Sequence, residues 1–285
     1  MQLREITNAD TQECGRIIYE AFRGIDDQHN FPYDFADREA GLQFAEMVIN
    51  SPDIWGVAAE ENGKFVGSNF LWEFDEIVGV GPITVDPSAQ EKGIGRKLMQ
   101  AVIERGKDAP GIRLLQAAYN ARSMSLYTAL GFDIREPIVV ISGSPEVEPS
   151  SEYTVRRFEE DDLEACSVLH ICVHGYSRRR ELRSLSKNFP SCVVEKDGEI
   201  RGYMTAPNAG LLNHSIAKKE ADMEALIAGA AKITGEPISF LLPTRQADLF
   251  RWCLKNGFRV GKPFTLMSMG DYREPRGIFT PSVLY

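Results

Sequence analysis

The residues with the clearest chemical potential lie in segment 90–96 (QEKGIGR), directly after a short apolar strand. Gly93 and Gly95 have no Cβ, so the backbone here can approach a ligand closely. The apolar residues that follow recur at helical spacing, which places the free N–H groups of a helix start beside the two glycines. Lys92 and Arg96 add positive charge. These features are typical of a turn that binds a phosphate group.

Two commoner phosphate-binding motifs do not fit this segment. A Walker loop ends in Gly-Lys-Ser/Thr, whereas Gly95 is followed by Arg-Lys-Leu. The stretch 79–84 breaks the dinucleotide-binding fingerprint at its last position and contains Pro82. What remains is Gln-x-x-Gly-x-Gly before a basic residue and after a Val-Asp-Pro strand end. This pattern resembles the pyrophosphate loop of the GNAT superfamily of N-acetyltransferases; an ordinary strand-to-helix turn is the alternative interpretation.

A second segment resembles the same superfamily. Asn120 ends a predicted strand, 112–118, and can cap the helix that carries the pattern Leu-Tyr-x-x-Leu-Gly-Phe at Leu126, Tyr127, Leu130, Gly131 and Phe132. The resemblance implies an α/β fold in which a central mixed, mostly antiparallel sheet is flanked by helices. It also implies the residues that contact acetyl-CoA, namely Ile83, Thr84, Val85, Gln90, Glu91, Lys92, Gly93, Ile94, Gly95, Arg96, Asn120 and Tyr127.

The resemblance further implies direct transfer of an acetyl group from acetyl-CoA to an amine, with no acyl-enzyme and no metal. The amine must lose a proton, because an alkylammonium with a pKa of about 10.4 is not nucleophilic at pH 7. Glu76, at the start of the predicted strand 77–85 that leads to the glycine turn, is the candidate base; Glu73 or Asp75 are alternatives, and all three can instead be solvated carboxylates. Tyr127 resembles the family's general acid for the thiolate, or it is a core aromatic residue that anchors the helix. Asn120 is expected to bond the pantetheine amides unless it only caps the helix.

The loop 24–37 is a candidate wall for the acceptor amine. It combines acidic and aromatic side chains, Asp26, Asp27, Asp34, Asp37, Phe31, Tyr33 and Phe35. A solvated connection is the alternative. The net charge of −9 lies entirely in the first half, where residues 1–143 contain 22 acidic and 13 basic residues. An acidic surface favours a cationic amine and excludes a nucleic-acid partner, although a charged face that serves solubility would look the same.

The second half of the chain repeats the first. Arg156 corresponds to Arg4, the Asp-Gly turn at 197–198 corresponds to the Asn-Gly turn at 62–63, and Gly257-Phe258 corresponds to Gly131-Phe132. These matches predict two tandem GNAT-like domains, 1–143 and 153–285, joined by a linker at 144–152. The second copy has three acidic residues and no glycine where the turn should be, so we expect it to be degenerate and to bind no CoA. The tail from Asp271 is too irregular to predict a regular element; it is expected either to lie back over the first domain or to cover a sheet edge.

Composition limits the remaining possibilities. A chain of 285 residues with 43% hydrophobic and 26% charged residues is typical of a globular protein with two domains. It contains neither an apolar run long enough to span a membrane nor an apolar signal core, so a cytoplasmic location is expected. Five cysteines without CxxC spacing predict neither disulfides nor a zinc site. The sequence thus predicts an N-acetyltransferase acting on a small-molecule or peptide amine, as a monomer or a homodimer. A non-catalytic acetyl-CoA-binding regulatory module is the alternative.

Overall fold

A computed structural model describes residues 1–89 and 93–283. The chain divides into two compact units, of which the first contains Met1–Asp133 and Ser268–Gly270, and the second contains Ile134–Met267 and the residues from 271 onward. The strand of residues 134–143, which the sequence analysis assigned to the first domain, therefore lies in the second unit. No helix within the described ranges is both long and apolar enough to cross a membrane.

Within its described residues, the segment 1–133 of the first unit contains six strands and four α-helices. The strands are β1 (Gln2–Glu5), β2 (Ile54–Glu61), β3 (Lys64–Trp72), β4 (Ile77–Val80), β5 (Thr84–Val85) and β6 (Gly111–Ala117). The helices are α1 (Thr11–His29), α2 (Arg38–Asn50), α3 (Ile94–Arg105) and α4 (Ala121–Ala129). The strand order is β1-β2-β3-β4-β6, with β5 paired to β3. All these pairs are antiparallel except β4 with β6, which is parallel.

Local sequence signals explain much of this unit. Asn62 and Gly63 join β2 to β3 with φ values of 53° and 73°, and a two-residue hairpin turn requires such positive φ at both positions. The Asp37 carboxylate caps α2 by accepting a hydrogen bond from the Ala40 N–H at 2.9 Å. Helix α1 buries one apolar face, which includes Ile17. The predicted antiparallel start of the sheet is confirmed.

The second unit repeats these elements and adds one strand at its end. Its strands are β7 (Asp133–Gly143), β8 (Thr154–Arg157), β9 (Cys192–Lys196), β10 (Glu199–Met204), β11 (Ser215–Ala217), β12 (Ile238–Pro243), β13 (Arg259–Gly270) and β14 (Ile278–Thr280). Its helices are α5 (Leu163–His174), α6 (Arg179–Asn188), α7 (Glu220–Thr234) and α8 (Ala247–Lys255). One sheet has the order β14-β11-β10-β9-β8, and β7 lies between β13 and β12. The expectation of no regular element after Asp271 was wrong, because β14 forms there through pairing with β11.

The internal repeat extends to side-chain contacts. In the first unit the Arg4 guanidinium donates to Asp10 at 2.6 Å and to Glu60 at 2.8 Å. In the second unit the Arg156 guanidinium donates in the same way to Asp162 at 2.8 Å and to Glu195 at 2.5 Å. Each network joins the first strand of its copy to the start of the first helix and to the neighbouring strand. The duplication predicted from sequence offsets is therefore also present in the packing.

Candidate active site

A β-bulge interrupts the strand that leads to the glycine turn. Leu71 pairs with Val80, and Ser68 pairs with Thr84. These pairings leave one more residue on the β4–β5 side than on the β3 side, which defines a bulge. The sequence analysis had predicted one continuous strand over 77–85, and the structure corrects this to two strands separated by residues 81–83.

Strand β5 has one open edge. Asp86 N–H donates to the Val66 carbonyl on β3 at 2.9 Å, and in an antiparallel ladder successive N–H groups point to opposite sides. The N–H group of Val85 therefore points away from β3, and the N–H group of Ile83, which lies in the bulge, makes no hydrogen bond among the described residues. Among the described residues β5 pairs with β3 alone, and β4 pairs with β6 only through Ile77–Gly79. The two strands diverge beyond that point and leave these donors available to a ligand.

Two of the residues predicted to bind acetyl-CoA have inward-pointing side chains. Thr84 is 3% exposed, with Oγ1 at 3.3 Å from the Ser68 hydroxyl, and Ile94 is 2% exposed. Only the backbone of either residue is available to a ligand. Three other predicted contacts, Gln90, Glu91 and Lys92, lie outside the described residues.

Helix α3 begins with an open N-terminus. Its N-cap, Gly93, has φ 74° and so lies in the left-handed region that favours glycine. No side chain caps the helix within the part that the structure describes, and its first turn contains no acidic residue. A Cβ at Gly95 would make only ordinary contacts, the nearest at 3.7 Å. Arg96 is exposed in the same turn. Free N–H groups, the positive helix dipole and a cation thus coincide, as an anion requires.

Helix α4 positions Asn120 and Tyr127 after the end of β6. The Asn120 Oδ1 atom accepts from the Ser123 N–H at 3.2 Å, so the predicted cap is present. Its Nδ2 donor has no partner among the described residues. The Gln116 amide, on β6, donates to the Asn120 carbonyl at 2.9 Å and to the Ser123 hydroxyl at 3.0 Å. These bonds attach the start of α4 to the strand.

Tyr127 is 7% exposed, and its ring packs against Phe132 with 6.4 Å between centroids. Burial raises the pKa of the phenol above its ordinary value, so the group remains protonated at neutral pH. Within residues 1–89 and 93–283 the hydroxyl has no hydrogen-bond partner. Tyr127 is thus both a packed aromatic residue and a proton donor that no other described group uses.

The candidate base lies near the end of β6 opposite to that from which Asn120 follows. Glu76 is exposed and directly precedes β4, whose Ile77 pairs with Gly111 at the start of β6. Asn120 and α4 follow the other end of β6, about 20 Å away at a strand rise of about 3.3 Å per residue. The alternative base Glu73 is engaged by Arg105, with both hydrogen bonds at 3.0 Å.

Sequence reasoning did not single out Tyr119, which joins the end of β6 to the acidic loop. Its hydroxyl lies 3.4 Å from the carboxylate of Asp26, a residue with no exposed surface. Burial and this carboxylate raise the pKa of Tyr119. Its ring lies 4.5 Å from that of Phe31 and 5.1 Å from that of His29. The position of Tyr119 directly before Asn120 was the available signal.

In the second unit the corresponding strand edge is filled. Strand β14 pairs with β11 through Ser215–Ala217. The Gln246 side chain at the start of α8 bonds both backbone groups of Phe279 in β14, donating to the carbonyl at 2.6 Å and accepting from the N–H at 3.1 Å. The N-terminus of α7 is closed by Asp222, whose carboxylate accepts from the Lys219 N–H at 3.0 Å.

Comparisons with known proteins agree with the geometry of the first unit. The model of the acetyltransferase (GNAT) family matches residues 16–132. Over 83 residues the chain is 34% identical to the UPF0157 protein YqkA of Bacillus subtilis, an alignment of 29% of this chain and 24% of that protein. It is 29% identical over 103 residues to a D-amino-acid N-acetyltransferase of Saccharomyces cerevisiae, covering 33% of this chain and 64% of the relative. The chain thus spans less than two thirds of the length of these two relatives.

A third relative, an uncharacterized N-acetyltransferase of Bacillus subtilis named YitH, is 21% identical over 226 residues, or 76% of this chain and 78% of the relative. The fold is similar to the crystal structure of a Pyrococcus horikoshii protein with a TM-score of 0.77 at 16% identity, covering 100% of this chain and 94% of the other. A tandem GNAT protein from the clavulanic acid biosynthesis pathway has a TM-score of 0.62 at 10% identity, with 94% and 98% covered. The predicted fold class is confirmed.

Proposed function

We propose that the protein transfers an acetyl group from acetyl-CoA to a primary amine in a ternary complex, starting from the match of residues 16–132 to the model of the acetyltransferase (GNAT) family. The observation that carries the proposal is the presence of three unused groups in one unit. The open N-terminus of α3 can bind the pyrophosphate, and the Ile83 N–H can donate to the thioester oxygen. The Tyr127 phenol can protonate the departing thiolate.

The reaction proceeds by attack of the neutral amine nitrogen on the thioester carbonyl. The C–N bond forms as the carbonyl becomes an oxyanion, which the Ile83 N–H on the open edge of β5 stabilises. When the intermediate collapses, the C–S bond breaks and the sulfur takes a proton from Tyr127; the proton that the nitrogen releases returns to the Tyr127 phenolate through solvent. A phenol is protonated at neutral pH, so the proton of Tyr127 is present when the thiolate forms. The Asn120 Nδ2 group donates to a pantetheine carbonyl.

Glu76 is our candidate for removing the ammonium proton, through intervening water because it precedes β4. Asp26 is the competing candidate, since it contacts Tyr119 beside the start of α4. The pH profiles of kcat/KM in Glu76→Gln and Asp26→Asn separate the two. The variant that lacks the base loses the acidic limb of the profile, and the other variant keeps it.

A cationic acceptor fits the surroundings of Tyr119. The aromatic faces of Phe31 and Tyr119 and the buried Asp26 carboxylate together suit an ammonium group. We expect KM for the amine to rise with salt concentration, because salt screens attraction by exposed carboxylates. A salt-independent KM, or a preference for anionic acceptors, would contradict a cationic substrate. Small amines and peptide N-termini both satisfy this chemistry.

We also propose that one chain binds one CoA, in the first unit only. The open features of the first unit are each closed in the second, where β14 covers the edge of β11 and Asp222 caps α7. A cofactor there would have to displace a paired strand and approach a carboxylate. Calorimetric titration should give one CoA per chain, and two would overturn this proposal.

The competing function is a regulatory module that binds acetyl-CoA without turnover. The unpartnered Tyr127 phenol favours catalysis, because a module that only binds needs no proton donor at the sulfur. The test is amine-dependent release of CoA thiol with a panel of polyamines, amino sugars, peptides and both enantiomers of amino acids, the last because one relative is a D-amino-acid N-acetyltransferase. Binding of acetyl-CoA without thiol release from any amine would favour the regulatory module.

A further inference from the structure

Trp72, the last residue of β3, holds the bulge of the first unit. Its indole Nε1–H donates to the Gly81 carbonyl at 2.5 Å, and the Gly81 N–H donates to the Phe70 carbonyl at 2.9 Å. Both backbone groups of Gly81 are therefore bonded to β3 or its side chain. Pro82 follows and has no N–H. The first N–H of the bulge that makes no hydrogen bond among the described residues is thus that of Ile83.

The direction of that donor depends on how the bulge is held. Strand pairing resumes only at Thr84, and among the described residues the Gly81 N–H makes the one backbone hydrogen bond between segment 81–83 and β3. Without the indole bond, the Gly81 carbonyl is free to turn, and the peptide planes that follow it turn with it. An oxyanion donor must lie within about 2.7–3.1 Å of the developing charge, and a displacement of about 1 Å can cost a factor of about a hundred in rate.

We propose that Trp72 is a positioning residue for catalysis, whose indole N–H fixes the bulge so that the Ile83 N–H points at the thioester oxygen. This inference rests on the proposed acetyl transfer. Trp72 does not touch the substrate; it acts through the backbone of residues 81–83. Its ring is 6% exposed and lies 6.2 Å from that of Phe74, so packing and hydrogen bonding can be separated by a variant that keeps the aromatic ring.

The test compares Trp72→Phe with Trp55→Phe. Phenylalanine keeps an apolar ring at position 72 and removes the N–H donor. Trp55 lies on the adjacent strand β2, where its ring packs against the Arg105 guanidinium at 5.7 Å, and it serves as the control. We expect Trp72→Phe to lower kcat by about ten- to a hundredfold while KM for acetyl-CoA changes by less than about threefold. The control should retain kcat.

A second readout does not require turnover. The Ile83 amide is followed by NMR during titration with acetyl-CoA and with CoA. In the wild type, acetyl-CoA should shift this amide more than CoA does, because only acetyl-CoA carries the thioester carbonyl. In Trp72→Phe the difference should disappear while the shifts of the Gly95 amide persist.

The outcomes distinguish this inference from the proposed function. An unchanged kcat in Trp72→Phe overturns the positioning role. A fall in kcat that is accompanied by weaker acetyl-CoA binding of the same fold-change and by a lower melting temperature also overturns it, because the variant would then be generally disturbed. If the wild type acetylates no amine, the proposed function fails, and the NMR shift of the Ile83 amide then tests the role of Trp72. A shift that only acetyl-CoA causes, and that Trp72→Phe removes, supports this role. The same shifts in both proteins overturn it.

Discussion

The glycine turn of the first unit and the corresponding turn of the second begin their helices in opposite ways. Residues 86–93 lie between β5 and α3, and the helix starts at Gly93 without a side-chain cap among the described residues. Only Lys218 and Lys219 lie between β11 and α7, and Asp222 accepts the Lys219 N–H. The N-terminus of α3 can accept an external anion, whereas the N-terminus of α7 is capped by the carboxylate of Asp222, a residue of the helix itself.

The strand edges beside these turns differ in the same way. Val85 pairs with Gly67 and Ala217 pairs with Gly202, so these two residues hold equivalent positions in the repeat. The edge of β5 is open, whereas Ala217 also pairs with Ile278 of β14. The second unit has thus covered with its own chain an edge that, among the described residues, stays open in the first unit.

The amide residues at the start of α4 and α8 complete the comparison. Asn120 is the N-cap of α4 and Gln246 is the N-cap of α8. The Gln246 side chain bonds both backbone groups of Phe279. The peptide of β14 therefore occupies a position like the one we propose for the pantetheine amide in the first unit. Meanwhile the Arg4 and Arg156 networks remain alike, so the duplicated scaffold has kept its internal contacts and changed the groups that face a ligand.

The largest expected effect tests the proton donor. The N–H of Phe132 bonds the Tyr127 carbonyl and that of Phe258 bonds the Cys253 carbonyl, both at 3.1 Å, so Tyr127 and Cys253 are equivalent. We expect Tyr127→Phe to lower kcat by about ten- to ten-thousandfold, the range for a positioned acid, with acetyl-CoA affinity retained. Cys253→Ala should leave kcat unchanged. Steady-state kinetics and calorimetry measure both, and an unchanged kcat in Tyr127→Phe would leave that residue with only a packing role.

The next effect tests the two helix starts. Gly95→Glu places a carboxylate in the first turn of α3, where it would use the free N–H groups and repel the pyrophosphate. A Cβ fits at Gly95, so we expect the variant to fold and to lose at least about a hundredfold in acetyl-CoA affinity, corresponding to about 2.7 kcal/mol. The control is Ala221→Glu, at the exposed second position of α7, which should bind as the wild type does. Loss of only half the binding sites in Gly95→Glu would show that the second unit also binds CoA.

These contrasts also show what the sequence could predict. The hairpin at Asn62-Gly63, the glycine turn and the Asn120 cap depend on residues close together in the chain, and local signals identified them. The bulge depends on Trp72 reaching Gly81, and β14 depends on pairing with a strand about sixty positions earlier. Such non-local contacts leave no periodic pattern in a three-residue strand. The local elements of the first unit were therefore easier to predict than the pairing of β14 with β11 in the second unit.

A third effect concerns acid, because three of the four histidines lie buried in the second unit. Burial and the nearby Arg178 lower the pKa of His170 to about 3 and lower that of His214 as well. The unfolded chain then binds more protons than the folded one below a pH of about 6.5, so stability falls as pH decreases from there toward 3. Each such histidine contributes a slope of about 1.4 kcal/mol per pH unit.

Urea unfolding between pH 7 and pH 4 measures this slope. His170→Asn should reduce it, because Asn keeps a donor for the Tyr176 carbonyl, which His170 Nδ1 bonds at 2.7 Å, and does not titrate. A wild-type slope in His170→Asn would mean that His170 does not contribute to acid sensitivity.

The smallest expected effect compares the side-chain amides of Asn120 and Gln246, each replaced by the carboxylic acid of the same length. Asn120→Asp keeps the oxygen that caps α4 and removes the Nδ2 donor, so we expect KM for acetyl-CoA to rise about five- to tenfold, the value of one hydrogen bond of about 1 kcal/mol or slightly more, with little change in stability. Gln246→Glu removes the donor to the Phe279 carbonyl and should lower the unfolding free energy by about 1–3 kcal/mol, because that carbonyl then faces a carboxylate. The KM of Gln246→Glu for acetyl-CoA should not change. Kinetics and thermal unfolding of both variants test this comparison. If Asn120→Asp lost stability and kept its KM for acetyl-CoA, the Asn120 amide would be structural like that of Gln246, and the two units would not differ at this position.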